Sequence, residues 1–186
     1  MKEPISGRII WNAAAKTGLV FAAVTIGCNL LKRGIIALEL STFVAGALNA
    51  ILWAGELVGC IYLMILFMRK LVKDYDGVQN EDTNRYGRRI ALLSAILIAS
   101  ANYLILTFTP EAKLQEEIDA ALAAYGSMLD SNTLSMMEEM MQNLPIITFF
   151  SNLIYCFLYG TVLSAILSRS IPARDPFATP DSTPEA

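Results

Sequence analysis

The sequence predicts an all-α protein, a four-helix transmembrane bundle with an extracytoplasmic amphipathic helical hairpin. Among its 186 residues, 55% are hydrophobic and 17% are charged, and the mean hydropathy is positive. This composition is too apolar for an ordinary soluble domain of that length. The apolar residues also fall into four long runs, and a helix needs about 20 such residues to cross a hydrocarbon layer of roughly 30 Å. Together these observations indicate that lipid surrounds four segments of the chain.

Each apolar run justifies one helix. The second run contains Glu56 close to its midpoint, so its insertion into lipid needs an energetic check. Its twelve Leu, Ile, Val and Phe residues contribute roughly −0.5 kcal/mol each, against roughly +3 kcal/mol for one central ionised side chain, and insertion remains favourable. We expect a single integral membrane domain over 1–171 and a proline-rich, disordered tail over 172–186. The predicted helices are Ile9 to Leu31, Phe43 to Met68, Ile90 to Phe108 and Ile146 to Leu167.

The basic residues are distributed unevenly between the two ends of the predicted bundle. Eleven lie near the start of the chain, between the second and third helices, and after the fourth helix, whereas only Lys32, Arg33 and Lys113 lie in the other two loops. Basic residues concentrate on the cytoplasmic side of membrane proteins. We therefore expect both termini and the loop between the second and third helices to be cytoplasmic.

The first apolar run has a second interpretation, as a cleaved signal sequence. Thr25-Ile26-Gly27-Cys28 loosely resembles a lipoprotein cleavage box that ends in an acylated cysteine. Such a box normally has Leu three residues before the cysteine, where this chain has Thr25, and the run is longer than a typical signal core. A retained first helix is therefore the preferred interpretation.

The chain contains no histidine, which excludes Ser-His-Asp and Cys-His catalysis, histidine-ligated haem and the common zinc sites. Its three cysteines, Cys28, Cys60 and Cys156, lie inside apolar runs without CxxC spacing, so we expect neither a disulfide framework nor a metal clip. We predict no catalytic residue, no cofactor and no metal site. We also expect no nucleic-acid partner, because the basic residues flank the helices as anchors for the lipid bilayer.

Small residues repeat at four-residue spacing along each predicted helix. They let transmembrane helices approach closely, since lipid gives apolar side chains little reason to associate. The repeats predict helix contacts, either within the bundle or between copies in a homo-oligomer, although small residues are common in membrane helices anyway. They comprise Ala14, Gly18 and Ala22; Gly55 and Gly59; Ala91, Ala95 and Ala99; and Gly160 with Ser164.

Four polar residues within the apolar runs form the candidate intramembrane site. Asn49, Asn102 and Asn152 each lie at a depth of roughly 9 Å from the outer end of a helix. An amide in hydrocarbon needs a hydrogen-bond partner, so we expect the three to meet in one layer. Glu56 lies one heptad beyond Asn49, about 10 Å deeper on the same face, with Lys16 as the nearest cation by depth. Glu56 is either a functional site, the default at this depth, or a residue that fixes helix packing.

The hydrophilic segment 110–145 has the character of a surface hairpin. It carries seven acidic residues and one lysine, and its apolar positions repeat with helical spacing. Two amphipathic helices broken near Asp130-Ser131-Asn132 are predicted, lying over the outer end of the bundle with the acidic surface turned to water.

Several short motifs follow one another from the end of the second helix to Phe177, and the first of them suits a turn. They are Tyr75-Asp76-Gly77, Tyr86-Gly87-Arg88, Ala124-Tyr125-Gly126-Ser127-Met128-Leu129, Leu163-Ser164-Ala165-Ile166-Leu167 and Asp175-Pro176-Phe177. Over somewhat more than half of the chain, their order resembles an uncharacterised family of bacterial four-span integral membrane proteins (a domain of unknown function, DUF 4199 type). The resemblance implies a location in the bacterial inner membrane. The family offers no established activity or catalytic residues to transfer.

Two functional hypotheses follow. The first is a non-enzymatic interaction or accessory component of the bacterial envelope, which contacts a membrane or envelope protein through its acidic hairpin or its helix faces. The second is a small oligomeric transporter or channel in which Glu56 is a proton- or cation-sensitive site. A membrane enzyme that uses carboxylates alone is disfavoured, because no second acid lies near Glu56 in depth.

Overall fold

The computed structural model describes residues 6–38, 41–110, 112, 114, 140 and 143–171. Within these ranges the chain forms four long helices, α1 Gly7–Ala37, α2 Thr42–Asp74, α3 Asn80–Phe108 and α4 Leu144–Leu167. All four are long and apolar enough to cross a membrane, so the predicted all-α, four-helix architecture is confirmed. The predicted hairpin over 110–145 lies almost entirely outside the described residues, and the predicted tail over 172–186 lies wholly outside them.

Three helices extend beyond the apolar runs that predicted them. α1 continues six residues past Leu31, α2 continues six residues past Met68, and α3 begins ten residues before Ile90. An apolar run marks only the part of a helix that lies in hydrocarbon, whereas backbone hydrogen bonding continues into the headgroup layer. The connection between α2 and α3 is therefore only 75–79, and most of the segment expected as a hydrophilic loop is helical.

Local signals build the turn between α2 and α3. The backbone N–H of Tyr75 donates to the carbonyl oxygen of Leu71 at 3.2 Å. Gly77 has a φ of +70°, a left-handed conformation that glycine adopts without steric cost. The backbone N–H of Gln79 then donates to Asp82 Oδ2 at 3.1 Å, which caps the first turn of α3. The chain reverses where the sequence predicted a turn.

α3 and α4 pack closely because glycine and other small residues face each other between them. A Cβ atom added at Gly160 would lie 2.5 Å from Ala91 Cβ, and one added at Gly87 would lie 2.2 Å from Ser164 Oγ. The hydroxyl of Ser164 also donates to the carbonyl oxygen of Asn84 at 3.0 Å. Gly160 therefore lies at a helix contact, as its spacing predicted.

α1 packs against α3 through another glycine. A Cβ atom at Gly18 would lie 3.1 Å from Leu93 Cβ, so the backbone of α1 approaches the side chains of α3 closely. One residue away, Thr17 Oγ1 and Tyr86 OH form a buried hydrogen bond of 2.7 Å. With α4 in contact on the Gly160 side, α3 is the central helix of the bundle.

α2 packs mainly against α1, and only its C-terminal half is buried. There Met64, Met68 and Leu71 join the hydrophobic core, and the ring centroids of Phe67 and Phe21 lie 6.3 Å apart. Among the described side chains, the half of α2 nearest Thr42 contributes none to the core. The bundle is therefore tight at one end of α2 and loose at the other.

The expected GxxxG contact on α2 is absent from the bundle. A Cβ atom added at Gly55 or Gly59 would meet no described atom within 4 Å, so neither glycine contacts another helix in the part of the chain that the structure describes. Gly55 lies in the loose half of α2, and Gly59 lies next to the midpoint of the helix. A contact of this pair with a second copy of the chain stays a prediction.

The segment after α4 closes the tight end of the bundle. Ile171 is buried and belongs to the same core as Ile10, near the start of α1. Thr83 Oγ1 donates to the carbonyl oxygen of Ile171 at 2.7 Å, and Asn80 Nδ2 donates to the carbonyl oxygen of Arg169 at 3.2 Å. The end of α4 therefore lies beside the starts of α1 and α3. We call this end of the bundle the basic end, because basic residues are concentrated near the start of the chain, between α2 and α3, and after α4.

The close approach of α3 and α4 gives a direct test by glycine substitution. We expect Gly87→Ala to lower the free energy of unfolding by about 1–3 kcal/mol, because its Cβ would overlap Ser164. Gly59→Ala is the matched control, since its Cβ meets open space and alanine favours a helix, so that variant should be neutral or slightly stabilised. Denaturant unfolding in detergent micelles compares the two, and equal effects would contradict the contact.

Candidate functional site

An ion pair joins α1 to α2 at membrane depth. Lys32 Nζ donates to Glu56 Oε2, and the two side chains are 23% and 16% exposed. Glu56 lies 14 residues after the first residue of α2, about 21 Å along the helix axis. Each Cα–Cβ bond tilts toward the N-terminus of its own helix. Since α1 and α2 are antiparallel, the two side chains extend toward each other along the bundle.

This ion pair corrects the expectation that Lys16 is the cation nearest to Glu56. The apolar run ends at Leu31, which placed Lys32 in the outer loop, but α1 continues to Ala37 and Lys32 is a helical residue. Lys16 instead lines a separate cavity toward the start of α1. The ion-pair partner of Glu56 therefore depends on the direction of the side chains as well as on their depth along the helix axes.

The sequence contains a pattern that indicates which face of α1 carries Lys32 toward the cavity. Thr25, Asn29 and Lys32 stand at offsets of four and seven residues, which places them on one face of a helix. All three line the same cavity. A polar stripe of this kind inside an apolar helix indicates a face turned away from lipid, and it identifies the face of α1 that meets Glu56.

The ion pair lies in the wall of a cavity of about 250 Å³ that is lined by all four helices. The rings of Tyr155 and Tyr159, both on α4, are nearly parallel at 12°, with centroids 6.4 Å apart. Trp53 and Tyr155 also line the cavity and are 59% and 65% exposed, so the cavity is open. Its polar lining residues include Thr25, Asn29, Lys32, Glu56, Ser94, Asn152, Tyr155 and Tyr159.

The opening lies between α2 and α4. Within the described residues, the buried positions of α4 are Gly160 and Ser164, in its C-terminal half, and α2 is likewise buried only in its C-terminal half. The N-terminal halves of α2 and α4 both lie away from the basic end. They leave a gap between them, and the cavity occupies this gap.

The three asparagines do not form the expected layer. Asn152 lines the cavity together with Glu56, but its Nδ2 donates to the carbonyl oxygen of Thr148 in its own helix at 2.9 Å. Asn49 and Asn102 do not line this cavity, and the buried Asn49 Oδ1 accepts no hydrogen bond from the described residues. Equal depth along the helices did not bring the asparagines together, because the N-terminal half of α2 stands apart from α4.

Tyr159 leaves unused hydrogen-bonding capacity in the cavity. Its hydroxyl is buried and has no hydrogen-bond partner within the described ranges, and such a group costs about 1–3 kcal/mol when it stays unsatisfied. The hydroxyl shares the cavity with the ion pair and with the apolar side chains of Phe21 and Leu57. This combination suits a group that is apolar over most of its surface and carries a polar end.

The three cysteines are free thiols. Cys60 and Cys156 line the cavity, whereas Cys28 does not. In the described part of the chain, no group of three or more Cys, Asp or Glu side chains is placed to hold a metal ion. We assign the two cavity cysteines to the wall of the site.

Comparisons of the chain with protein-family models, with curated proteins and with solved structures found no match. The resemblance to the DUF 4199 type family stays a prediction that rests on short motifs. The function has to be argued from the cavity and its ion pair.

The ion pair gives a second test. We expect Lys32→Gln alone to lower the free energy of unfolding by about 3 kcal/mol, because it leaves the carboxylate of Glu56 unpaired at membrane depth. Glu56→Gln alone should lower it by less, because Lys32 follows the apolar run and its side chain can extend to the headgroup layer. The double variant has no charge to leave unpaired and should recover most of that loss. Unfolding in detergent micelles measures all three variants.

The exposed pair of Arg85 with Glu81 on α3, at 2.6 Å, provides the control for that experiment. Arg85→Gln should change stability by only about 0.3–0.5 kcal/mol, as for other exposed pairs on one helix. Additive effects of the two substitutions at Lys32 and Glu56 would show that these side chains are not coupled.

Proposed function

We propose that this chain is a non-enzymatic, multi-pass protein of the bacterial inner membrane that acts as an interaction or accessory component of the envelope. Its contact site is the cavity between α2 and α4. The supporting observation is the Lys32–Glu56 ion pair, which lies in the wall of an open cavity at membrane depth. Ionisable groups inside a membrane face polar surroundings, because hydrocarbon cannot solvate them.

In this proposal, a transmembrane helix of a partner protein lies across the opening and inserts one side chain into the cavity. An acyl chain offers no hydrogen bond to the ion pair or to the hydroxyl of Tyr159, whereas a helix with one polar side chain satisfies them and covers the surrounding apolar wall. The exposed rings of Trp53 and Tyr155 lie at the opening, and aromatic side chains of this kind commonly contribute most of the energy of a protein interface. The cavity therefore supplies both the polar and the aromatic parts of a contact site.

The proposed orientation places the basic end of the bundle in the cytoplasm. Asn80 at the start of α3 contacts Arg169 after α4, and Arg89 donates to the carbonyl oxygen of Gly7 at 3.0 Å, so the basic segments of the chain lie together at one end. A concentration of Lys and Arg favours the cytoplasmic side. The cavity then opens in the outer half of the membrane.

Cysteine labelling tests this orientation. In a background in which Cys28, Cys60 and Cys156 are replaced by alanine, we expect Ser41→Cys to react with a membrane-impermeant maleimide on intact cells. Lys73→Cys, at the opposite end of α2, should react only after the cells are permeabilised. The reverse pattern would place the basic end outside and overturn the proposed location of the cavity.

Site-specific photo-cross-linking tests the proposed contact. With a photoreactive residue at Trp53 or Tyr155, we expect one defined membrane protein to cross-link in the native host, because these side chains lie at the opening. The same residue at Leu19 or Leu104, which are exposed elsewhere on the bundle, should give about tenfold less of that product.

The neutral double variant at Lys32 and Glu56 provides the functional control. It keeps the shape of the cavity without its charges, so it should also lower the yield of the product. Recovery of the bare protein in mild detergent, together with equal cross-linking at all four positions, would contradict an interaction function.

The same ion pair favours a second candidate, a small oligomeric transporter or channel in which Glu56 responds to protons or cations. Such a protein differs from an interaction component in that it carries an ion flux across the membrane. In proteoliposomes, Glu56→Gln should change both the rate and the pH dependence of a measured ion flux, because the carboxylate lies in the cavity wall. Unchanged flux and pH dependence would assign Glu56 to structure alone.

A further inference from the structure

A second cavity lies toward the basic end, between α1 and α2, and it is separate from the cavity of the ion pair. It has a volume of about 420 Å³ and contains Lys16 on the α1 side and Lys70 on the α2 side. The hydrogen-bonded pair Thr17 and Tyr86 also lines it, which gives the cavity a fixed polar surface. Two cations therefore share one concave site.

These two lysines differ from Lys32, Arg85 and Arg89, whose charges have partners. Lys32 is paired with Glu56 and Arg85 with Glu81, and the guanidinium of Arg89 lies 4.9 Å from the ring centroid of Trp11. Within the described ranges, Lys16 and Lys70 form no ion pair. Their charge is available to a bound anion.

The position of the cavity along the helices matches the headgroup layer of a bilayer. α1 has 31 residues and α2 has 33, so each is longer than about 45 Å, whereas hydrocarbon alone spans roughly 30 Å. Lys70 lies four residues before the end of α2. The side chain of Lys16 tilts toward the start of α1, and a lysine stem can extend along apolar surface toward the interface. Both ammonium groups thus lie near the boundary between hydrocarbon and headgroups.

We propose that this cavity binds the phosphate of an anionic phospholipid, held between Lys16 and Lys70. Basic pockets between transmembrane helices are suited to such headgroups. The apolar side chains of Val20 and Phe67 line the same cavity and provide a wall for the first part of an acyl chain. A lipid satisfies both the charged and the apolar parts of the site, whereas free phosphate satisfies only the charged part.

Asp74 lowers the net positive charge on which the selectivity of the site depends. It is the one acidic residue among the lining residues described, beside the two lysines, so the cavity has a net positive charge. A zwitterionic lipid gains little from that charge, whereas an anionic lipid gains from both lysines. The carboxylate of Asp74 also weakens the binding of any anion. Its removal should therefore have the opposite effect on affinity to the removal of a lysine.

Native mass spectrometry of the full chain, with phosphatidylglycerol and phosphatidylcholine added in equal amounts, tests the proposal. We expect phosphatidylglycerol to bind preferentially. Lys70→Gln should lower its affinity about fivefold, and the double substitution with Lys16→Gln about thirtyfold, because each basic side chain near an anionic surface contributes about 1 kcal/mol. Asp74→Asn should raise the affinity.

Lys73→Gln is the matched control for Lys70→Gln. Both residues are exposed on the last turns of α2, but Lys73 does not line the cavity, so its loss should leave the affinity within about twofold. Equal losses for Lys70→Gln and Lys73→Gln would mean diffuse attraction to charge and would overturn the site. Protection against thermal unfolding by inorganic phosphate as strong as by phosphatidylglycerol would overturn the lipid assignment.

Discussion

The architecture depends on how closely α3 approaches its two neighbours. Lipid tails give apolar helices no hydrophobic reason to associate, so the helices that pack tightly are those whose backbones can come near one another. Gly87 and Gly160 allow this between α3 and α4, and Gly18 allows it between α1 and α3. Within the described residues, the N-terminal half of α2 has no equivalent contact. The helices α1, α3 and α4 therefore pack closely, and α2 is attached to them mainly at the basic end.

That unequal attachment explains where the polar groups lie. The gap beside the N-terminal half of α2 separates Asn49 from the other asparagines, yet the same gap leaves space for an ion pair between α1 and α2. Lys32 and Glu56 link α1 and α2 where packing is loose. Electrostatic attraction therefore holds these two helices together, whereas close contact between small residues holds α3 and α4 together. The loose half of α2 also contains unused polar capacity, because the buried Asn49 Oδ1 accepts no hydrogen bond from the described residues.

Composition and spacing predicted the fold class, the four helices and the contacts at Gly18 and Gly160, because these depend on the solvent of each segment and on the width of a helix face. The partner of Glu56, the separation of the asparagines and the isolation of Gly55 and Gly59 were not predicted. Each of these depends on the tilt and rotation of α2 relative to its neighbours, which depth along an axis does not specify. The apolar runs also ended too early, and this error placed Lys32 outside the helix that carries it.

The short separation of Lys32 and Glu56 along the chain, 24 residues, bears on how this protein is synthesised. The two charges belong to α1 and α2, which leave the ribosome before α3 and α4, so each can neutralise the other before those helices are synthesised. The carboxylate within the apolar run of α2 is thereby matched by a lysine of the preceding helix. Ile171 follows α4 in the chain, so it can join Ile10 in the core only after the four described helices have been synthesised.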